Sequence, residues 1–98
     1  MWFGWIEFDL LLGDVHSLKQ KRAVVRPILS EIRRRFEVSV AETGGQDLHR
    51  RAGVAAGLVA ADAVHVIEVL DSIERLVAAR PEIQLLSARR RLDSSEDE

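Results

Sequence analysis

The chain has no cysteine. That excludes a disulfide framework and any thiolate metal site, since both chemistries need sulfur. It has no long apolar run either: the longest, residues 52–61, is far short of the roughly 20 residues that cross a bilayer. The opening MWFGWIEFD places no basic residues ahead of its apolar stretch, so it does not read as a signal peptide, and the expected location is cytoplasmic. Aromatic residues are few: two tryptophans, three phenylalanines and no tyrosine. At 98 residues there is room for one hydrophobic core and not for two.

What is present is charge, unevenly placed. The formal net charge is −2, yet residues 93–98 alone carry four acids, Asp93, Glu96, Asp97 and Glu98. Between Val15 and Phe36 seven basic residues face one acid, Glu31. Arg50-Arg51 and Arg89-Arg90-Arg91 add two further basic clusters. A pI near 5.9 therefore leaves a polyanionic partner open, because local patches set the field a partner meets. Residues 1–92 read as a single domain and 93–98, without an apolar residue, as a disordered acidic tail.

Period and punctuation define six elements. Residues 2–12 read as a strand, apolar on both parities and closed by the Gly13-Asp14 turn, which suits a central strand. Ser17-Leu18-Lys19-Gln20 is a capping box. The helix after it lines up Leu18, Val25, Ile28, Leu29, Ile32 and Phe36, and Pro27 within it should kink rather than end it. Residues 37–42 alternate as a strand with Val38 and Val40 inward, and 43–51 form a polar connection. Residues 52–61 are a strand of small and β-branched residues, where Gly53 and Gly57 point to close backbone approach. Asp62 caps a second helix whose Val66, Leu70, Ile73 and Val77 face a core, with Asp71 and Arg75 paired outside and Pro81 as the stop. Residues 82–92 are the last strand, with Ile83 and Leu85 on one parity and Leu86 and Ala88 on the other.

The order β-α-β-β-α-β in so short a chain predicts an α+β, ferredoxin-like fold: a four-stranded antiparallel sheet, order 4-1-3-2, with both helices on one face. That topology gathers residues 13–17, the 43–51 connection and the Pro81 turn at one end.

The basic residues of the first helix are not scattered. Lys19, Arg22, Arg26 and Arg33 fall within roughly 60° of one another at about 100° per residue. They form a stripe about 20 Å long on a rigid element, a plausible ladder for phosphates. The competing reading is a solvated flank chosen for helix propensity and stem packing. Arg50 and Arg51 are expected to join the stripe.

Other constellations are weaker. Asp14, His16 and Ser17 are too close in sequence for a catalytic triad, and no nucleophile elbow is present. His16, His49, Asp14 and Asp47 meet at the loop end but lack metal-ligand spacing, and His65 is expected to flank the second helix's apolar face. No catalytic residue, metal or cofactor is expected. Base stacking on the sheet is disfavoured: Phe3 and Trp5 share their face with Glu7 and Asp9, and Gly53, Ala55, Gly57 and Val59 supply no aromatic. An open face of Phe3, Trp5, Leu11, Val59, Leu86 and Ala88 is better explained by burial against a second copy, which predicts a homodimer.

The opening W-x-G-x-x-E-x-D-L-L-L, then SLKQKR, RRRFEVSVAE and QDLHRRA, resembles the YlxP-like family of small uncharacterised bacterial proteins, over residues 2–92. Ser17, Leu18, Lys19, Lys21, Arg22, Gln46, Asp47, Leu48 and Ala52 are the positions that match its motifs. The resemblance implies a ferredoxin-like fold and a gene beside those for an initiation factor, a transcription elongation factor and a ribosome-binding factor. It supplies no catalytic residue. The expectation is a non-enzymatic accessory protein of translation or ribosome maturation that contacts RNA or a ribosomal protein. The alternative is a ferredoxin-like small-ligand or protein-interaction module with its pocket around His16 and Asp47.

Overall fold

A computed structural model describes residues 1–45 and 48–95. Its elements are β1 (Trp2–Leu12), α1 (Leu18–Arg35), β2 (Ser39–Gly44), β3 (Arg51–Ala60), α2 (Ala63–Ala78) and β4 (Ile83–Ser94). The strands form one antiparallel sheet in the order β2-β3-β1-β4, the expected order read from the opposite edge. The fold is ferredoxin-like.

β1 is central because both of its parities are useful. Ile6, Phe8, Leu10 and Leu12 are fully buried towards the helices. Against them pack Val25, Ile28 and Ile32 of α1, Val54 and Ala56 of β3, and Val66, Leu70, Ile73 and Val77 of α2. Each large side chain buried this way contributes about 1.5–3 kcal/mol. The other parity of β1 faces away from the helices.

Both helix starts follow their caps. The Ser17 hydroxyl accepts from the Gln20 amide at 3.1 Å, and the Gln20 side-chain oxygen accepts from the His16 amide at 2.6 Å, one residue further back than a regular capping box. Asp62 accepts from the His65 amide at 2.8 Å. α1 runs unbroken through Pro27.

Pairing differs from simple alternation at two places. In β4, Asp9 faces Ser87 but Leu10 faces Leu85, so Leu86 is an extra residue. The bulge flips the parity beyond it. Ala88 consequently lies opposite Phe8 on the helix side and does not share the open face with Trp5, as plain alternation would have it. In β2, Glu42 faces Val54 and Gly44 faces Gly53, so Thr43 is extra, and the strand spans Ser39–Gly44 instead of 37–42. At that point a Cβ on Gly53 would lie 2.8 Å from the Gly44 nitrogen, the close approach expected there.

The domain boundary also moves. β4 continues to Ser94: Asp93 pairs with Phe3, Ser94 with Trp2, and the Ser95 amide donates to the Met1 carbonyl at 3.0 Å. Asp93 to Ser95 are therefore part of the fold, not of a tail; residues 96–98 lie outside those described. The reason is the length of β1, whose first residues need a partner strand.

Asp71 and Arg75 do not pair. Asp71 and Glu74 instead accept from Arg90 of β4 at 2.8 and 2.9 Å, while Arg75 donates to Ser72. The β4 bulge turns Arg90 towards α2, and a guanidinium with two carboxylates wins over one helix-surface pair. At the loop end the Leu12 amide donates to the Arg50 carbonyl at 2.8 Å, and Leu12 pairs with Ile83. The three expected connections do gather there. Among the described residues no helix is long and apolar enough to cross a membrane.

Candidate functional site

Helix α1 carries seven cations, and its surroundings sort them. Lys21 is 3% exposed. Its ammonium donates to the Leu48 carbonyl at 2.9 Å and to the Gly45 carbonyl, and lies 3.3 Å from a Glu42 carboxylate oxygen. Arg34 and Arg35 lie 4.0 and 3.6 Å from Glu31, which also accepts from Arg80 at 2.6 Å. The hydrogen bond from Arg80, helped by the neighbouring guanidinium charges, holds the Glu31 carboxyl below its usual range despite its desolvation.

The other four are Lys19, Arg22, Arg26 and Arg33. None of them takes part in an ion pair among the described residues. Lys19, Arg22 and Arg26 are exposed and line one shallow hollow with Ala23 and Pro27. Arg22 and Arg26 also border a second hollow with Leu18, Val25, Leu29 and Glu42. Arg33 donates to the Val40 carbonyl at 3.0 Å, which fastens the helix to β2 without neutralising the charge. The flank picked out by helical spacing is thus the set of α1 cations left without a counter-charge.

The two remaining candidates do not extend that stripe equally. Arg50 donates to the Gly13 carbonyl at 3.0 Å at the loop end. Arg51 pairs with Leu11 in register and its guanidinium grips Asp9, on the sheet face opposite the helices. A strand residue next to the buried Ala52 must point the other way. Arg51 therefore cannot share a surface with Lys19 and Arg22.

The open sheet face divides in two. One half is polar and internally neutralised: Arg51 holds Asp9, and Glu7 accepts from Arg89 and, at 2.7 Å, from the Thr43 hydroxyl. The Thr43 bond and then the Arg89 bond keep the Glu7 carboxyl below its usual range. The other half is apolar towards β3, with Phe3, Trp5 and Val59 exposed beside Ala55 and Gly57, and is edged on β4 by the Arg91–Asp93 ion pair opposite Trp5 and Phe3. Leu11 is half-buried and pairs with Gln84, and Leu86 is exposed at its bulge, both beyond the polar half.

At the loop end His16 Nε2 lies 2.5 Å from Asp14, with both side chains largely exposed. The Ser17 hydroxyl is occupied with its capping bond. Asp47 lies outside the described residues. No group of three or more potential metal ligands occurs among the described residues. His65 is exposed on the first turn of α2.

Sequence reasoning missed Lys21 as a structural residue. The signal was available: Lys21 stands four residues before Val25, and Val25, Ile28 and Ile32 complete the same buried stripe.

The family described as "Protein of unknown function (DUF503)" matches residues 3–90. The uncharacterized protein YlxP of Bacillus subtilis (strain 168) is 32% identical over 81 residues, which cover 83% of this chain and 88% of that one.

Proposed function

The chain belongs to the DUF503 family, and from that starting point we propose that it is a non-enzymatic, cytoplasmic accessory protein of translation or ribosome maturation that binds structured RNA through one flank of α1. The observation that carries the reading is the set Lys19, Arg22, Arg26 and Arg33, which keeps four charges without acidic partners among the described residues along about 20 Å of helix. Most arginines elsewhere are neutralised: Arg34, Arg35, Arg51, Arg80, Arg89, Arg90 and Arg91 all have a carboxylate within 4.0 Å, whereas among the described residues Arg50 and Arg75 bond only to a carbonyl and a hydroxyl. An unneutralised row on a rigid element favours phosphates, because releasing their counterions supplies the binding free energy. Arg50, exposed at the loop end from which α1 starts, is kept as a further candidate contact, and Arg51 is not.

The test is co-sedimentation with ribosomal subunits at graded salt. Binding that weakens linearly on a log-log plot supports the reading. Purified protein that neither carries nucleic acid nor sediments with subunits at low salt overturns it.

A further inference from the structure

We infer that two copies of this chain pack open face to open face, with Trp5 of each copy seated in a hollow on the other. This surface lies on the opposite side of the sheet from the α1 flank, so it stands or falls independently of RNA binding.

The hollow is on the same face as the ring that would fill it. Ser39, Ala41, Ala55 and Gly57 leave a depression of about 360 Å³ between β2 and β3, bordered by Trp5 and Glu7 of β1. Small residues on two adjacent strands remove the side chains that would level the surface. Trp5 stands beside them on the next strand and remains 39% exposed, with Phe3 and Val59 also exposed nearby. A protruding indole next to a trough of its own making is self-complementary. A two-fold axis in the plane of the face, midway between ring and trough, places each ring in the other copy's trough, so both contacts form together and the assembly closes at two.

Charge permits this pairing. The open face carries Glu7, Asp9 and Asp93 against Arg51, Arg89 and Arg91, and every one of these is matched within its own chain. A neutral face meets its own copy without the repulsion that a single-sign face would meet. It also offers nothing to a phosphate backbone, which argues for a second copy over nucleic acid. Size permits it as well. Four strands about 4.8 Å apart and some ten residues long at about 3.3 Å each present roughly 600 Å² per copy, or about 1,200 Å² in all, the lower bound for a stable interface. An aromatic ring at the centre of such a patch is the usual anchor.

The experiment is light scattering coupled to size exclusion from low to high micromolar protein, with far-ultraviolet circular dichroism to check folding. The parent chain is expected at twice the monomer mass. Trp5→Glu and, separately, Ala55→Phe, which fills the trough without touching the ring, are each expected to halve the mass and retain the spectrum. In a Trp2→Phe background, tryptophan emission should shift to shorter wavelength as concentration rises, since Trp5 is then the only indole. A parent that is monomeric throughout overturns the inference. So does a folded Ala55→Phe variant that stays dimeric with unshifted Trp5 emission.

Discussion

Lys21 donates to the carbonyl of Leu48 at 2.9 Å, across 27 residues of sequence. With the Gly45 carbonyl and Glu42 as its other partners, it pins the connection between β2 and β3 to the first turns of α1. Replacing it with methionine keeps the stem and removes the donor. Removing the donor from these two part-buried carbonyls costs about 1–3 kcal/mol at most. Lys21→Met should therefore lower the urea midpoint accordingly, and amides near residues 45 and 48 should exchange faster than those of β1. Glu42→Gln should cost less, because that carboxylate is partly exposed and the two carbonyl bonds survive. An unchanged midpoint for Lys21→Met would show the contact to be incidental.

If Lys19, Arg22, Arg26 and Arg33 each neutralise one phosphate, the log-log salt slope for RNA binding should be near −3, at roughly 0.7 per contact for single strands and steeper for duplex. An Arg22→Gln/Arg26→Gln double variant should lose about 1–2 of that slope and bind all sequences more weakly to a similar degree, since phosphate contacts position without reading bases. Folding stability should stay within about 0.5 kcal/mol of the parent, because neither side chain has a hydrogen-bond or ion-pair partner among the described residues to lose. Retention of the parent slope would remove this flank from the mechanism.

Gly4 sits where β1 passes under α2. A Cβ there would lie 2.7 Å from Val66 Cγ1 and 2.9 Å from the Arg91 carbonyl oxygen. The side-chain neighbour can yield a little, but the backbone oxygen is held in the sheet. Gly4→Ala should destabilise by about 1–3 kcal/mol through overpacking, although alanine is the better strand and helix former elsewhere. Thermal melts of the two proteins decide this. An equally stable variant would mean that α2 is free to lift from the sheet.

Glu7 titrates below the usual glutamate value of 4.5 because of Thr43 first and Arg89 second. A carboxyl held low in the folded state stabilises it at pH values above 4.5, and that contribution disappears as pH falls through the lowered value. Thr43→Val removes the larger cause and should raise the Glu7 midpoint towards 4.5, read from its side-chain carboxyl carbon by NMR. The same variant should therefore lose stability relative to the parent above that range and converge with it in stronger acid. A midpoint that does not move would show that Arg89 alone sets it.

Much of this protein is local and so is legible along the chain itself. The caps at Ser17 and Asp62, the buried stripe Val25-Ile28-Ile32 and the cation stripe Lys19-Arg22-Arg26-Arg33 all follow from the 3.6-residue period, which involves only neighbours within a few turns. The central placement of β1 followed from its two apolar parities, and the strand order from the short connections and their handedness.

Tertiary structure decided whatever depends on residues far apart in the chain. An alternating pattern cannot announce its own interruption, so the extra residues Thr43 and Leu86 emerged only from pairing with β3 and β1. The β4 bulge then chose the faces beyond it, sending Ala88 and Arg90 towards the helices, and pairing across the sheet brought the Thr43 hydroxyl to Glu7. Which charges cancel was likewise a matter of distance in space, with Arg51 on Asp9, Arg90 on α2 and Lys21 buried beneath the connection it holds. A charge in a sequence has a sign and a neighbourhood along the chain. Whether it remains available to a partner depends on the desolvation and the counter-charge that only the folded chain brings to it.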